Sequence, residues 1–443
     1  MQQLENETVQ TERRLRVEKM KVYLDVVGCR LNQSEIERMA AQFRAAGHEI
    51  VEEAGQAELV VVNTCAVTGK AVADSRKKIR QSLRAGAQQV IATGCWATLE
   101  PGETGALSGA VQVVINEEKE HLVTDFLGLA VDDFLPGVIA RRPLPGAHSR
   151  TRAFIKVQDG CDNYCTFCVT RLARGASHSV PLDEVLDEMR AAQAGGTQEV
   201  VLTGVNLQAW GQDLPGGLRL RHLLEAALAG TDVPRLRLSS LEPWGLEEDF
   251  FALWQDNRLC RHVHLPLQSG AAATLKRMVR KTSPAEFERL AGRARAVCPQ
   301  MAVTTDIITG FPGEDEAEFC ESLDFVRRMA FAAGHVFTFS PRPGTAAARM
   351  AGEVPLEVRR ERNATMQTAL AESAQTYRQR FLGQTLAVLW ESAQPREGGW
   401  LLSGLTDNYL RVEAFSPFNS WNTIQQVRLL EDRQGRILGE ILS

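Results

Sequence analysis

The segment Asp159-Gly160-Cys161-Asp162-Asn163-Tyr164-Cys165-Thr166-Phe167-Cys168 sets three thiols at the spacing Cys-x-x-x-Cys-x-x-Cys. That spacing brings three thiolates within reach of one cubane iron–sulfur cluster and, with no fourth cysteine nearby, leaves one iron without a protein ligand. An open iron can be chelated by the amino and carboxylate groups of S-adenosylmethionine. An electron from the cluster then cleaves the sulfonium to a carbon radical, chemistry owned by the cofactor while the protein orients and excludes. A structural zinc site or unrelated surface thiols is the bland competitor; the aromatic inside the motif and the strand before it weigh against that.

Three more cysteines each follow a short apolar run: Val22 to Val27 leads to Gly28-Cys29, Leu59 to Val62 to Asn63-Thr64-Cys65, and Val90 to Ala92 to Thr93-Gly94-Cys95. Helical patterns lie between them, Ser34 to Ala46 and Ala71 to Ala85. Strand alternating with helix predicts a parallel sheet with right-handed crossovers, whose strand tips share one edge. Cys29, Cys65 and Cys95 are therefore expected to be neighbours. Three thiolates suit an iron–sulfur cluster with one iron unprotected; zinc with a fourth ligand is the competing chemistry, and three small buried hydrophobes the bland one. Cys260, Cys298 and Cys320 show no ligand spacing and read as core or incidental thiols.

After the Cys161 motif the alternation continues. Strands are expected at Phe154 to Val157, Glu199 to Leu202, Leu236 to Leu238, Val263 to Leu265, Val303 to Ile308 and Val336 to Phe339, which makes an incomplete parallel barrel with its site at the C-terminal strand tips. Those tips carry Gly204 and Asn206, Ser239, Ser240 and Glu242, Gln268, Thr309, and Ser340 with Arg342. They read as the surface for S-adenosylmethionine and substrate, with Gly204, Asn206, Ser239 and Gln268 as cofactor contacts. Asp306 within an apolar strand must be paired or hydrogen-bonded and reads as a member of a barrel-interior network, with a catalytic group as the alternative, and His262 and His264 read as satisfied barrel histidines. A helical linker, Leu356 to Arg380, precedes short strands at Leu386 to Trp390, Trp400 to Leu402, Tyr409 to Val412 and Val427 to Leu430, an all-β barrel of a size that often binds nucleic acid. Its charge does not advertise this, and Trp400, Tyr409, Phe415 and Trp421 fit either a stacking surface or a core.

Composition bounds the reading. The 443 residues hold 44% hydrophobic and 24% charged side chains, which excludes wholesale disorder, and nine cysteines without a secretory signal disfavour a disulfide framework. No apolar run approaches the roughly 18 residues of a membrane span. The expected compartment is the cytoplasm. A net charge of −5 gives no global sign of a polyanionic partner. Two local runs do: Lys70 to Arg84, with six bases against Asp74, and Arg141 to His178, with seven bases against Asp159 and Asp162. The expected division is a disordered extension over 1–20, a parallel-sheet domain of Rossmann or flavodoxin-like type over 21–130, a linker over 131–149, the partial barrel over 150–355, a helical linker over 356–381 and the small barrel over 382–443.

This order of motifs resembles the methylthiotransferase family of radical S-adenosylmethionine enzymes over nearly the whole chain. The matching stretches are Gly28-Cys29-Arg30-Leu31-Asn32-Gln33-Ser34-Glu35, Asn63-Thr64-Cys65, Gly94-Cys95, Asp159-Gly160-Cys161, Leu202 to Asn206, Leu265 to Gly270 and Gly310-Phe311-Pro312-Gly313-Glu314. The resemblance implies two four-iron four-sulfur clusters: an auxiliary one on Cys29, Cys65 and Cys95 that carries the transferred sulfur, and a radical-generating one on Cys161, Cys165 and Cys168. It implies a TRAM domain for the small barrel, tRNA as partner through its anticodon loop flanked by the two basic runs, an electron donor such as flavodoxin or ferredoxin, a sulfur donor, and no membrane. Leu238-Ser239-Ser240-Leu241-Glu242-Pro243 and Thr406 to Val412 look like the branch that adds a methylthio group to carbon 2 of threonylcarbamoyladenosine. The branches acting on isopentenyladenosine or on a ribosomal protein aspartate are the alternatives, and a non-catalytic iron–sulfur RNA-binding redox sensor is a further one. One departure stands beside the cluster motif. The family's Pro-Tyr pair after the third cysteine is absent from Val169-Thr170-Arg171-Leu172-Ala173, although Arg174-Gly175 is kept.

Overall fold

A computed structural model describes residues 19–129 and 151–442. Nearly all of the expected extension and the whole expected linker, with Arg141, Arg142 and Arg150, lie outside the described residues. The first domain is a parallel sheet of five strands, β1 (Lys21–Val26), β2 (Glu49–Ile50), β3 (Leu59–Thr64), β4 (Gln89–Gly94) and β5 (Val111–Val113), in the order β2-β1-β3-β4-β5. This is the flavodoxin-like order, whose topological switch point falls between β1 and β3. Leu59 to Val62 is buried on both faces, as a central parallel strand covered by helices must be. Edge strands β2 and β5 are two and three residues long, too short to show periodicity, and only β1, β3 and β4 were legible.

The second domain has six strands: β6 (Arg152–Lys156), β9 (Glu199–Thr203), β10 (Arg235–Leu238), β11 (His262–His264), β12 (Ala302–Thr309) and β13 (Ala333–Thr338). Between the first two, β7 (Gln158–Asp159) and β8 (His178–Ser179) form a short antiparallel ribbon around the cysteine motif. The strands form two parallel sheets, β10-β9-β6 and β11-β12-β13, joined by the bridges Leu236 to Leu259 and Ser240 to His264. One apolar core runs through both, so they are the halves of a single open barrel. The helix Arg30–Ala45 of the first domain packs on β6 at the open side. The helix Leu356–Gln379 packs along β13 and buries Met366, Ala369 and Leu370 in the same core.

The last domain is a closed barrel of β14 (Thr385–Arg396), β15 (Gly399–Thr406), β16 (Arg411–Ser416), β17 (Ile424–Arg433) and β18 (Arg436–Ile441). Sequence periodicity missed β18, a six-residue strand interrupted by Gly439, where a Cβ would stand 2.3 Å from Val427 Cγ1. The expected strand start at Tyr409 is also corrected. Tyr409 has φ +71° and sits in the β15–β16 turn, which Thr406 Oγ1 closes by accepting from Leu410 N at 2.8 Å. That turn inserts against the second domain. The Tyr409 ring stacks on His262 at 4.1 Å and 8°, its hydroxyl accepts from Arg30 at 3.1 Å, and Arg237 lies 5.5 Å from the ring centre. Burial opposes ionisation of Tyr409, but Arg30, Arg152 and Arg237 hold its phenol below the usual value.

Candidate active site between two cysteine trios

Cys29 follows β1, Cys65 follows β3, and Cys95 is the first residue of a short helix after β4, so the switch-point edge gathers the three. Gly28, at φ +102°, makes the approach close: a Cβ there would stand 2.6 Å from both Cβ and Sγ of Cys65. Gly94, at φ +94°, is as tightly held, with Asn63 Oδ1 at 2.4 Å from its Cβ position. Burial pushes the Cys65 thiol up to about 12, and the charges of Cys29 and Cys95 add to the shift, which they do only as close neighbours.

Behind this trio lies a buried polar network that ties the domains together. Asn32 Nδ2 donates to the carbonyls of Val27 and Thr64, holding the β1 and β3 tips in register. Glu35 pairs with Lys119 and Arg174, each at 2.9 Å, and accepts from Asn63 Nδ2 at 2.8 Å. Arg174 reaches on to Asp159 at 2.9 Å, two residues before Cys161. Burial works against both charges of the central pair, yet Arg174 and Lys119 hold the Glu35 carboxyl well below the carboxylate range, and Glu35 holds Arg174 well above its own. The network explains why Asn32, Glu35, Asn63 and Arg174 accompany the cysteines in the sequence. Lys119 was missed because nothing local marks it.

Around the second trio, Asn163 N donates to Cys161 Sγ and Thr170 N to Cys168 Sγ, both at 3.4 Å. Arg280 donates to Cys165 Sγ at 3.6 Å, pairs with Glu242 at 2.7 Å and lies 4.4 Å over Trp244. Burial raises Cys168 to about 11, and Cys165 and Cys161 add to it. Gly160, at φ +66°, has no room for a side chain, since a Cβ would meet the Ala176 carbonyl oxygen at 1.8 Å. The altered stretch after Cys168 forms a helical turn, Thr170–Arg174, whose Ala173, with Val169 just before it, buries against the first domain's core beside Trp96.

Two cavities open at the barrel's strand tips. One of about 400 Å³ is lined by Asp162, Asn163, Asn206, Gln208, Trp244 and Lys281. The other, about 160 Å³, is lined by Val67 and Thr68 from the loop after Cys65 together with Cys168, Gln268, Asp306 and Phe337 from the barrel. The second cavity therefore spans both domains and touches the neighbourhoods of both trios. Gln268 holds φ +72°, a strained backbone that β12 enforces by pairing with it on both sides, through Gln268 N to Asp306 O and Ile308 N to Gln268 O. Asp306 is paired with His264 at 3.3 Å as expected, and Thr304 Oγ1 bridges His262 and His264. Of the expected cofactor contacts, Asn206 and Gln268 line these cavities; Gly204 and Ser239 line neither. Gly204 instead packs on Gln158, whose Oε1 accepts from Asn206 N at 2.7 Å. Asn206 Oδ1, Ser239 Oγ, Asn163 Nδ2 and Asp306 Oδ1 are buried without a hydrogen-bond partner, a set of orphans suited to a polar ligand.

The two basic runs part company. In the second, Arg152 pairs with Glu391, Lys156 with Glu120 and Arg174 with Glu35 and Asp159, so the charge of these three is spent on other protein groups, while Arg171 lies 4.3 Å over the exposed Tyr164 at the surface. In the first, Arg76 pairs with Glu103 and Lys78 with Asp25, while Lys70, Lys77, Arg80 and Arg84 are exposed. Of the small barrel's aromatics Phe415 is exposed, Tyr409 is engaged with the second domain, and Trp400 and Trp421 are half-buried; Phe418, overlooked in the sequence, is 74% exposed.

Residues 21–116 match the model described as Uncharacterized protein family UPF0004, and residues 155–326 match the Radical SAM superfamily. A Thermotoga maritima protein named threonylcarbamoyladenosine tRNA methylthiotransferase MtaB is 37% identical over 402 residues, covering 88% of this chain and 91% of that one. This chain belongs to the radical S-adenosylmethionine methylthiotransferase family. A Bacillus subtilis protein of the same name is 31% identical over 93% of this chain and 94% of that one. The tRNA-2-methylthio-N(6)-dimethylallyladenosine synthase of Erythrobacter litoralis is 33% identical, covering 94% and 96%. Among solved structures, the radical S-adenosylmethionine methyltransferase TsrM of Kitasatospora setae, with cobalamin and a [4Fe-4S] cluster bound, superposes with a TM-score of 0.55 at 15% identity over 74% of this chain and 77% of that one. That likeness is one of fold. The protein is an enzyme of this family, using S-adenosylmethionine and iron–sulfur clusters, and no helix among the described residues is long and apolar enough to cross a membrane.

Proposed function

We propose that the protein adds a methylthio group to carbon 2 of N6-threonylcarbamoyladenosine beside the anticodon of tRNA. Cys29, Cys65 and Cys95 hold the auxiliary cluster, and Cys161, Cys165 and Cys168 the radical-generating one; Gly28, Gly94 and Gly160 leave the space at those tips that side chains would fill. When bound, the second cluster with S-adenosylmethionine supplies a radical able to act at an adenine C–H that has no acidic proton for a general base. The chain's own part is positional. Asn206, Ser239 and Gln268 contact S-adenosylmethionine, with Gly204 letting Gln158 fix the Asn206 backbone. The Glu35, Arg174 and Asp159 network holds the two trios in a fixed relation. A further S-adenosylmethionine supplies the methyl group, the deoxyadenosyl radical takes the displaced hydrogen, and an electron donor such as flavodoxin or ferredoxin and a sulfur donor complete the reaction.

The observation that carries the reading is the cavity walled by Val67 and Thr68 on one side and Cys168, Gln268 and Asp306 on the other, because a base that must meet a radical made at one trio and sulfur carried by the other needs one space bordered by the loops of both. The base is splayed from its loop to enter it. Threonylcarbamoyladenosine is favoured over dimethylallyladenosine by the names of the Thermotoga and Bacillus relatives and by Thr406 to Val412. The Erythrobacter relative keeps the second substrate as the alternative. Expression in cells stripped of their own methylthiotransferases tests the choice. Digested bulk tRNA gains methylthio-threonylcarbamoyladenosine on this reading; methylthio-dimethylallyladenosine alone assigns the other substrate.

A further inference from the structure

The helix Gly69–Arg84 presents an unusual outer face. Lys70, Lys77, Arg80 and Arg84 are all exposed, and none makes an ion pair or side-chain hydrogen bond among the described residues. At about 100° per residue they fall within an arc of about 80°, and at about 1.5 Å per residue Lys77 and Arg84 stand about 10 Å and 21 Å along the axis from Lys70. The same helix pairs Arg76 with Glu103 and Lys78 with Asp25, so the four unpaired cations are a stripe and not a general excess of base.

The stripe also has a fixed origin. The helix starts at the cavity rim: Thr68, which lines the cavity, caps it by accepting from Ala71 N at 3.1 Å. Beside that start lies Arg342, with Nη1 3.6 Å from the Cβ position of Gly69 and its buried Nε unpartnered. Its neighbour Ser340 lines the same cavity. A row of unpaired cations thus leads from the cavity mouth outward along one helix. The small barrel offers no comparable surface: of its five arginines Arg433 and Arg436 are paired with Glu431 and Glu413, and acids outnumber bases there.

We infer that this face is the docking surface for the sugar–phosphate backbone of the RNA stem next to the modified base, and that it supplies more of the RNA affinity than the small barrel. The inference rests on the tRNA reading above and names the surface that serves it. A base entering the cavity draws its flanking phosphates to the rim, where Arg342 and Lys70 meet them, and the stem then follows the stripe. An acidic redox protein is the other partner that such a face could seat. Origin at the cavity favours RNA, since an electron donor has no need to lie across the substrate entrance.

The test titrates an anticodon stem-loop RNA into the full-length protein over a range of salt. Each cation facing a phosphate contributes a slope of about −0.9 in log K against log salt, or roughly eightfold in affinity at about 0.1 M relative to 1 M. Lys77→Gln with Arg84→Gln, on an exposed face where glutamine is a good helix former, is expected to weaken binding roughly 50-fold at about 0.1 M salt and to flatten the slope by about two. Arg411→Gln with Arg428→Gln on the small barrel is expected to change both much less, and S-adenosylmethionine cleavage without RNA is expected to be unaltered. If the helix pair binds like wild type while the barrel pair loses affinity, the docking face is wrong and the tRNA reading stands. A wild-type protein that binds no stem-loop overturns both. Slower reduction by a flavodoxin but not by dithionite, with RNA binding intact, would reassign the face to the electron donor.

Discussion

Replacing Gly28 by alanine separates the two cysteine trios functionally. At φ +102° an L-residue costs about 1–2 kcal/mol. The added Cβ would stand 2.6 Å from Cβ and Sγ of Cys65, where ordinary carbon contacts lie at about 3.5–4.0 Å, so Cys65 must retreat by about 1 Å. Overpacking of this kind costs about 1–3 kcal/mol, for a total of about 2–5 kcal/mol concentrated at the β1 and β3 tips. The apolar cluster of Val22, Leu24, Ile36 and Phe43 on one face of the sheet lies away from those tips, so the chain folds but the first trio loses its geometry. Anaerobic reconstitution followed by iron and sulfide analysis reads the outcome: about eight irons per chain in wild type fall to about four. S-adenosylmethionine cleavage continues and methylthio product disappears. Gly160→Ala is the reciprocal case. Its Cβ would meet the Ala176 carbonyl oxygen at 1.8 Å, which no rotamer relieves, so cleavage is lost while the first trio still loads. A Gly28→Ala protein that holds about eight irons and forms product would refute the reasoning.

Three further outcomes follow from the geometry. Glu199, fully buried against Arg237 at 2.6 Å with Arg235 and Arg152 beside it, resists the protonation that burial alone would favour and has its pKa depressed to about 2. Because the folded value is the lower one, its contribution of about 3 kcal/mol is complete above the ordinary value near 4.5 and is lost as pH falls toward 2. Urea unfolding should therefore show wild type losing its advantage over Glu199→Gln below about pH 4.5; an advantage that persists at about pH 2 contradicts this. Tyr409→Ala removes the His262 stack, the Arg30 hydrogen bond and the Arg237 contact, about 2–3 kcal/mol together, whereas Tyr409→Phe gives up about 1 kcal/mol. Hydrogen exchange in Thr406 to Leu410 should rise far more for the alanine variant, and equal rises would show that the ring does not anchor the turn. Asn206→Ala should weaken S-adenosylmethionine binding about tenfold with iron content unchanged, measured by calorimetry on the reconstituted enzyme; unchanged affinity removes Asn206 from the contact set.

What the sequence disclosed and what it hid have physical causes. Parallel strands buried on both faces read as unbroken apolar runs, which is why Leu59 to Val62 and the positions of Cys29, Cys65 and Cys95 at one edge were legible. The barrel strands at 235–238 and 262–264 are not such runs, reading Arg-Leu-Arg-Leu and His-Val-His, and followed instead from their alternation with helices, with the tip residues Asn206 and Gln268 after them. Charge pairing was opaque. Arg174 meets Glu35 across 139 residues of chain and Lys156 meets Glu120, so two members of a run that looked like an RNA-facing patch are spent on an interior network. Tyr409 misled for a different reason: a tyrosine at positive φ has no sequence signature, unlike the glycines at Gly28 and Gly160, and its aromatic ring reads as strand propensity. Asp306 was legible as a buried carboxylate needing a partner. The identity of that partner, His264 on the neighbouring strand, came only from strand register.

The central claim is that both trios serve one reaction on one modified base. The most direct test is purified, anaerobically reconstituted enzyme with reductant, sulfide and S-adenosylmethionine, offered tRNA bearing threonylcarbamoyladenosine and tRNA bearing dimethylallyladenosine in one vessel. Digested nucleosides are read by mass spectrometry. The account predicts a methylthio product from the first tRNA, absent in Cys29→Ala and Cys161→Ala, with cofactor cleavage surviving only in Cys29→Ala. Cofactor cleavage by wild type with no methylthio product on either tRNA would contradict it.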